Sequence, residues 1–353
     1  MLFERQLYLL EKKQELRYSA AMRGTEDLRR LAEQLTAEGA FAGRILFDVP
    51  MKNHTSFKIG GNAPLFIEPA DEHSLSAALT FLAAENISYF TLGGGTNIVV
   101  SDEGFEGAVI SAAGLNHIEC LADAAPAYEL FRPDSGGDDV SVFVKCGAGA
   151  AVSSFVRFCR ENLLGGAEEF SGLPGTVGGA LYMNARCFDR SVSDLFVKAD
   201  YIELPENRIC SQPFDKNEWA YKVSPFQNTG RIITSAVFRL TQLAPAASKN
   251  LAERCEYFIN ERRAKGHFTF PSAGSVFKNN RELGMPTGQV IDELGLKGMR
   301  IGGAQIAPWH GNIIINTGGA TQKDVKELVD FIVNRVKEKK NFILQPEIIF
   351  CGK

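Results

Sequence analysis

The sequence predicts an α+β protein of two or three units, and three observations carry that prediction. Strand-like apolar runs alternate with helix-period segments from about residue 44 onward. Two glycine-rich loops lie beside such runs: residues 92–100, Leu-Gly-Gly-Gly-Thr-Asn-Ile-Val-Val, and residues 171–179, Ser-Gly-Leu-Pro-Gly-Thr-Val-Gly-Gly. With 353 residues, 45% hydrophobic and 23% charged, the chain is long and apolar enough to bury a sizeable core.

Taken in order, residues 1–43 read as two short amphipathic helices broken at Gly24-Thr25. The second carries Leu28, Leu31 and Leu35 on one face and stops at Gly39. A helical period says only that one face wants burial, so this extension packs on the body, contacts a second subunit or is partly disordered. Residues 44–112 follow as strand, helix, strand: 74–85 is helix-forming, 87–92 is a short apolar run opening into the first glycine loop, and 107–111 is another strand. Residues 113–240 make a second α+β unit, with strand-like runs at 140–146, 199–204 and 231–240 and a helix at 152–162. Within it, residues 122–139 are rich in Ala, Pro, Gly and Asp, offer neither period nor apolar mass, and read as an exposed excursion. A third unit, 245–341, opens with a charged helix at 246–265 and closes with one at 322–340. In the latter, Val325, Leu328, Val329, Ile332 and Val336 recur at helical spacing behind an N-terminal cap formed by Thr321 and Asp324. Residues 342–353 read as a C-terminal strand segment, with the strand-like run at 342–350 returning across the molecule.

A net charge of −4 provides no basic field for nucleic acid or for an acidic membrane, although a local Lys/Arg cluster is enough for a phosphorylated small molecule. The seven cysteines are scattered and never form a C-x-x-C pair, so neither a disulfide framework nor a metal site is expected. No run of about 18 apolar residues exists, and the first residues interleave charges with leucines, unlike a signal peptide. The expected compartment is the cytoplasm.

Glycines in the two loops let the backbone take positive φ and bring bare N–H groups up to an anion, with Thr96, Asn97 and Thr176 adding side-chain donors. A single loop of this kind is as readily a tight turn. Two on one chain suggest one dinucleotide held from two sides. Residues 147–152, Gly-Ala-Gly-Ala-Ala-Val, imitate a Rossmann fingerprint, with Glu168 and Glu169 about 20 residues on. Val152 replaces the third glycine, however, and no run of alternating parallel strands and helices surrounds the segment. A plain strand-to-helix corner is the better reading.

Further landmarks are Asn-His-Thr-Ser-Phe-Lys-Ile-Gly-Gly at 53–61, Tyr-Lys-Val-Ser-Pro-Phe at 221–226, Ser-Ala-Gly-Ser-Val-Phe-Lys-Asn at 272–279 and Gln-Pro-Glu at 345–347. In this order, together with both loops, the chain from about residue 53 to its end resembles the UDP-N-acetylenolpyruvoylglucosamine reductases (UDP-N-acetylmuramate dehydrogenases), FAD enzymes of peptidoglycan synthesis. The resemblance implies a two-subdomain FAD-binding fold of the vanillyl-alcohol oxidase type followed by a substrate-binding domain. It also implies FAD as cofactor, NADPH as reductant and UDP-N-acetylglucosamine enolpyruvate as substrate.

Carried over residue by residue, the resemblance assigns cofactor binding to Gly93, Gly94, Gly95, Thr96 and Asn97, and to Gly172, Pro174, Gly175, Thr176, Gly178 and Gly179. Ser275 matches the serine that donates a proton to the substrate carbon. A free hydroxyl is a poor acid, so the alkoxide left behind needs nearby cations or N–H donors, Lys278 among them; without the resemblance, Ser-Ala-Gly-Ser is a turn. Glu347 matches the glutamate that stabilises the enolic intermediate, as a protonated carboxyl beside the substrate carboxylate; without the resemblance it is one exposed glutamate. Lys222 departs from the family's arginine at this place and supplies a mobile point charge rather than a two-pronged grip. It is expected to serve as the electrostatic partner, with Arg186 and Arg190 as candidate compensators. Tyr221, Lys265, Lys278 and Asn279 fall at or near substrate-contacting positions. Residues 268–277 resemble the subtype that lacks an inserted tyrosine loop, so closure over the nucleotide comes from other residues. Two rival readings are an FAD oxidase of the same fold acting on a sugar or hydroxy acid, and a flavin- or nucleotide-binding protein without turnover.

Overall fold

The structure, a computed structural model, describes residues 25–37, 39, 41–121 and 140–352. The first of the two expected N-terminal helices and the excursion at 122–139 lie outside the described residues. The second helix, α1 (Thr25–Ala37), turns Leu28, Ala32 and Leu35 inward at i, i+4 and i+7 against Leu65, Ile67 and Leu75. Burying each leucine is worth roughly 2 kcal/mol, which ties the described part of the extension to the body.

The first layer is a four-stranded sheet. Strands β1 (Gly43–Pro50) and β2 (Asn62–Pro69) pair antiparallel, and helix α2 (Glu72–Ala84) follows, its N-terminus capped by Asp71 accepting from Ser74 N at 2.7 Å. Strand β3 (Tyr89–Leu92) then enters the first glycine loop, β4 (Ile98–Val100) leaves it, and β5 (Ala108–Ser111) lies between β2 and β3, parallel to both.

The second layer is antiparallel and begins with β6 (Ile118–Cys120) and β7 (Ser141–Gly147). Helix α3 (Val152–Glu161) buries Val152, Phe155, Val156 and Cys159 on this sheet. Short β8 (Leu164–Gly165), helix α4 (Val177–Tyr182) and the hairpin of β9 (Arg186–Cys187) with β10 (Arg190–Ser191) lead into the long strands. These are β11 (Phe196–Glu203), β12 (Arg208–Pro213) and β13 (Ile232–Gln242), and the sheet order is β12-β11-β13-β7-β6. The Rossmann-like segment at 147–152 is the corner from β7 into α3. Strand β7 pairs antiparallel with both neighbours, which excludes a parallel dinucleotide fold around it.

The third layer begins with α5 (Ser248–Ala264) and β14 (Ser272–Ser275), continues through α6 (Thr287–Glu293), β15 (Arg300–Ile301), β16 (Ala304–Ile306) and β17 (Ile313–Asn316), and ends in α7 (Gln322–Lys340). The antiparallel order is β14-β17-β16-β15. Helix α7 buries the five residues read from its period, and its capping box is formed: Thr321 Oγ1 accepts from Asp324 N at 3.0 Å, and Asp324 Oδ2 from Thr321 N at 3.0 Å.

The C-terminal run differs from the expected strand over 342–350. Only β18 (Ile349–Cys351) is strand, paired parallel with β4. Residues 345–347 instead run beside 276–278, with Lys278 N donating to Gln345 O at 2.9 Å and Glu347 N to Val276 O at 2.7 Å. Pro346 has no N–H, and that interrupts a regular ladder there.

Candidate active site

A cleft of about 1880 Å³ opens among the three layers. Every glycine-loop position expected to bind a cofactor lines it, as do Ser275, Glu347, Lys222, Lys265, Lys278 and Asn279. Tyr221 does not line it and is 44% exposed. The structure therefore brings together every expected site residue except Tyr221.

The two loops touch backbone to backbone. A Cβ on Gly94 would lie 2.5 Å from Gly175 Cα, and a Cβ on Gly95, whose φ is +61°, would overlap the carbonyl oxygen of His54. Glycine is thus required for the approach of the loops to one another, in addition to any approach to a ligand. The backbone N–H groups of residues 94–97, 175 and 176 donate to no acceptor among the described residues, although all line the cleft. Unpaired N–H groups converging from two loops make a nest for a phosphate-bearing ligand.

Of the side chains expected to serve that ligand, Asn97 has its amide engaged as a donor within the protein, whereas Thr176 is engaged only as an acceptor and keeps its O–H to donate. Asn97 Nδ2 donates to Glu347 O at 3.0 Å, and Thr176 Oγ1 accepts from Gly179 N at 3.3 Å as the cap of α4. Gly178 is buried at the corner, its N–H on Ala148 O at 2.8 Å.

Ser275 ends β14, where the pairing with β17 slips between Ser272 and Ser275. That irregularity re-aims the strand end toward the cleft. Its hydroxyl has no hydrogen-bond partner among the described residues. Ser56 Oγ donates to Ser272 O at 2.6 Å, and buried Asn312 clamps Phe277 by accepting from its N–H at 2.9 Å and donating to its carbonyl at 2.8 Å. The serine is therefore held from both sides.

Lys222 reaches Glu347 across the cleft, Nζ to Oε1 at 2.7 Å, with side chains 14% and 9% exposed. Its backbone is left-handed, at φ +59°. That conformation costs an L-residue about 1 kcal/mol, and the surrounding bonds impose it. Ala220 and Val223 close the turn, Asn184 Nδ2 donates to Ala220 O at 2.8 Å, and Gln227 Nε2 donates to both Tyr182 O and Lys222 O. Of the candidate compensators, Arg186 lines the cleft but bonds Ser191 Oγ at 3.2 Å. Arg190 lies outside it, donating to Gly166 O and paired with Glu169.

Sequence reasoning passed over three cleft residues. Arg262 is buried on α5, donates from Nε to Ser171 O at 2.8 Å and stacks over Phe188, so it fixes the start of the second loop. His267 and His310 have ring centroids 6.2 Å apart. Burial pushes His267 down to about 4 and His310 below its ordinary value, with Arg262 and Lys265 respectively adding to the effect. The charged composition of α5 hid Arg262, and nothing local marked the histidines. Lys278 has no ion-pair partner among the described residues, whereas Lys265 lies 3.8 Å from Glu261 and over the Phe188 ring.

Comparison with known proteins decides the family. The FAD binding domain family matches residues 63–203, and the UDP-N-acetylenolpyruvoylglucosamine reductase C-terminal domain matches residues 266–351. The reductase of Treponema denticola is 43% identical over 321 residues, covering 88% of this chain and 94% of that protein. This chain belongs to the UDP-N-acetylenolpyruvoylglucosamine reductase family. The reductase of Treponema pallidum is 37% identical, covering 87% of this chain and 93% of that one. The crystal structure of the Thermus caldophilus reductase matches with a TM-score of 0.67 at 26% identity, over 88% of this chain and all of that one. The chain therefore has the α+β, two-subdomain FAD-binding fold of the vanillyl-alcohol oxidase type with a C-terminal α+β domain. It is an NADPH-dependent flavoprotein oxidoreductase of peptidoglycan precursor synthesis, with FAD as its cofactor. No helix among the described residues is long and apolar enough to cross a membrane.

Proposed function

We propose that this cleft reduces UDP-N-acetylglucosamine enolpyruvate to UDP-N-acetylmuramate in the cytoplasm, with Ser275, Glu347 and Lys222 carrying the chemistry. The convergence of these three side chains beside the paired glycine loops supports the reading. The unpaired N–H groups of residues 94–97, 175 and 176 fit the diphosphate of FAD. FAD, when bound, supplies the hydride accepted by the methylene carbon of the substrate.

The remaining work falls to the protein. Lys222 opposes the negative charge that develops on the enolpyruvyl carboxylate, and Glu347, as a neutral carboxyl once the substrate carboxylate takes its place beside the lysine, donates a hydrogen bond to it, in a site partly shielded from water. Ser275, its hydroxyl uncommitted, gives its proton to the carbon adjacent to that carboxylate. Lys278 and Lys265 supply positive charge to the substrate diphosphate, and Asn279 lies beside them. With Oδ1 already accepting from Thr287 N at 2.9 Å, Asn279 has its amide N–H groups left for the sugar.

The test is anaerobic. Bound flavin is reduced with NADPH, and UDP-N-acetylglucosamine enolpyruvate is then added. Prompt return of the oxidised flavin spectrum together with UDP-N-acetylmuramate supports the reading. Reduced flavin that persists until air is admitted sinks it and points to an oxidase or a non-catalytic binder.

A further inference from the structure

Glu347 is delivered to the cleft by a segment that belongs to no regular element. Its nearest fixed structure is β18, which pairs parallel with β4 in the register Ile349↔Ile98. Ile349 N donates to Asn97 O at 2.9 Å. Continued by one step toward the N-terminus, that parallel ladder would have the backbone N–H of Asn97 donate to the carbonyl of Glu347.

The bond is made, but by another atom. Asn97 Nδ2 donates to Glu347 O at 3.0 Å, while the backbone N–H of Asn97 has no acceptor among the described residues. The remaining amide hydrogen faces Met183 Sδ at 3.6 Å. The backbone N–H of Glu347 is itself committed to Val276 O at 2.7 Å. Gln322 Nε2 ties the two strands farther along, donating to Val99 O at 2.9 Å and Cys351 O at 3.1 Å.

We propose that Asn97 is a positioning residue for Glu347: its side-chain amide takes the place of its own backbone N–H in the ladder to the Glu347 carbonyl, which releases that N–H to the anion cradle. One residue thereby joins the cofactor loop to the segment carrying the carboxylate that faces Lys222. Asparagine suits the task because it combines a donor of the right reach with a backbone carbonyl that accepts from Ile349; aspartate at this place would set an oxygen against the carbonyl of Glu347. This inference rests on the reading of Glu347 as the group that acts on the enolpyruvyl carboxylate.

The experiment compares the FAD-loaded wild type with Asn97→Ala and Asn97→Asp. Three quantities are measured: FAD affinity by fluorescence titration, the anaerobic rates of flavin reduction by NADPH and of its reoxidation by UDP-N-acetylglucosamine enolpyruvate, and amide hydrogen exchange of the peptide spanning residues 343–352. Both variants are expected to bind FAD more weakly than the wild type, because residue 97 belongs to the anion cradle, so both half-reactions are measured at saturating FAD and the oxidative one is read relative to flavin reduction by NADPH. Exchange in the C-terminal peptide should rise, and substrate-driven reoxidation should slow by about 100-fold, the effect of misplacing a reacting group by about 1 Å. Asn97→Asp, which keeps the volume of the side chain, controls for a packing defect in Asn97→Ala. A loss confined to FAD affinity, or unaltered exchange with unaltered reoxidation, overturns the inference. Wild-type flavin that the substrate fails to reoxidise overturns the assigned reaction instead, and the exchange comparison then decides the role of Asn97 by itself.

Discussion

Lys222 Nζ meets Glu347 Oε1 at 2.7 Å, joining a turn after β12 to the C-terminal segment within the lining of the cleft. An exposed pair of this kind is worth at most about 1 kcal/mol. Here both side chains are largely buried, and removing one partner would strand the other, at a cost of about 3–5 kcal/mol. The pair is therefore a structural clasp, and its lysine is the charge that a substrate carboxylate would take over from Glu347.

Replacing Lys222 with Ala is expected to slow substrate-driven flavin reoxidation by about 10²–10³-fold while flavin reduction by NADPH is kept, because the charge is needed only where negative charge develops. Arg at this position restores a two-pronged grip and is expected to match or exceed the rate of Lys, since the left-handed backbone treats both residues alike. Single-turnover absorbance traces of the two half-reactions measure this. Equal loss in both half-reactions would assign Lys222 to cofactor placement instead.

Ser275→Ala is expected to lose about 10²–10⁴-fold in the same oxidative step, the usual span for a positioned proton donor. FAD content and thermal midpoint should stay near those of the wild type, because the hydroxyl makes no bond among the described residues that folding depends on. A fall in thermal midpoint parallel to the fall in rate would contradict this.

Gly95→Ala is expected to abolish flavin retention. The new methyl group overlaps the carbonyl oxygen of His54, and the φ of +61° adds about 1–2 kcal/mol of strain. Gly274→Ala serves as its control: φ is +75° there too, but a Cβ meets nothing within 4 Å, so the variant should keep its flavin and lose only stability. The absorbance ratio of flavin to protein after gel filtration separates the two.

Protonation of the cleft histidines should destabilise the fold. The native state holds His267 at about 4, whereas the unfolded chain titrates near 6.5. Unfolding consequently takes up a proton between those values, and stability is full above pH 6.5 and declines as pH falls toward 4. His310 acts in the same direction. His267→Asn should flatten the dependence of the urea midpoint on pH between 7 and 4.5; an unaltered slope would place the proton uptake elsewhere.

Much of the fold and site was legible because its signals are local. The period of α7, its Thr321 and Asp324 cap, the helices at α2 and α3, and the apolar runs that became β7, β11 and β13 all follow from spacing along the chain. The two glycine loops and the Ser275 and Glu347 motifs were recognisable as strings. By contrast, β14 to β17 are two to four residues each, too short for any periodicity, and they exist because neighbouring strands and α7 complete them. The expected strand over 342–350 shrank to three residues because its apolar residues are buried by packing around Pro346 rather than by alternation across a sheet.

What the sequence by itself determined was the chemistry available: which loops lack side chains, which hydroxyl, carboxylate and cation the chain owns, and which helices bury which faces. The tertiary structure alone decided which of those groups meet. It set the Asn97 amide on the Glu347 carbonyl, made the Thr176 oxygen the cap of α4, left Tyr221 out of the cleft lining, enlisted Arg262 to hold the second loop, and set Lys222 on Glu347. The physical reason is that a hydrogen bond or an ion pair acts over about 3 Å, and only the packing of distant layers brings residues so far apart in the chain within that reach.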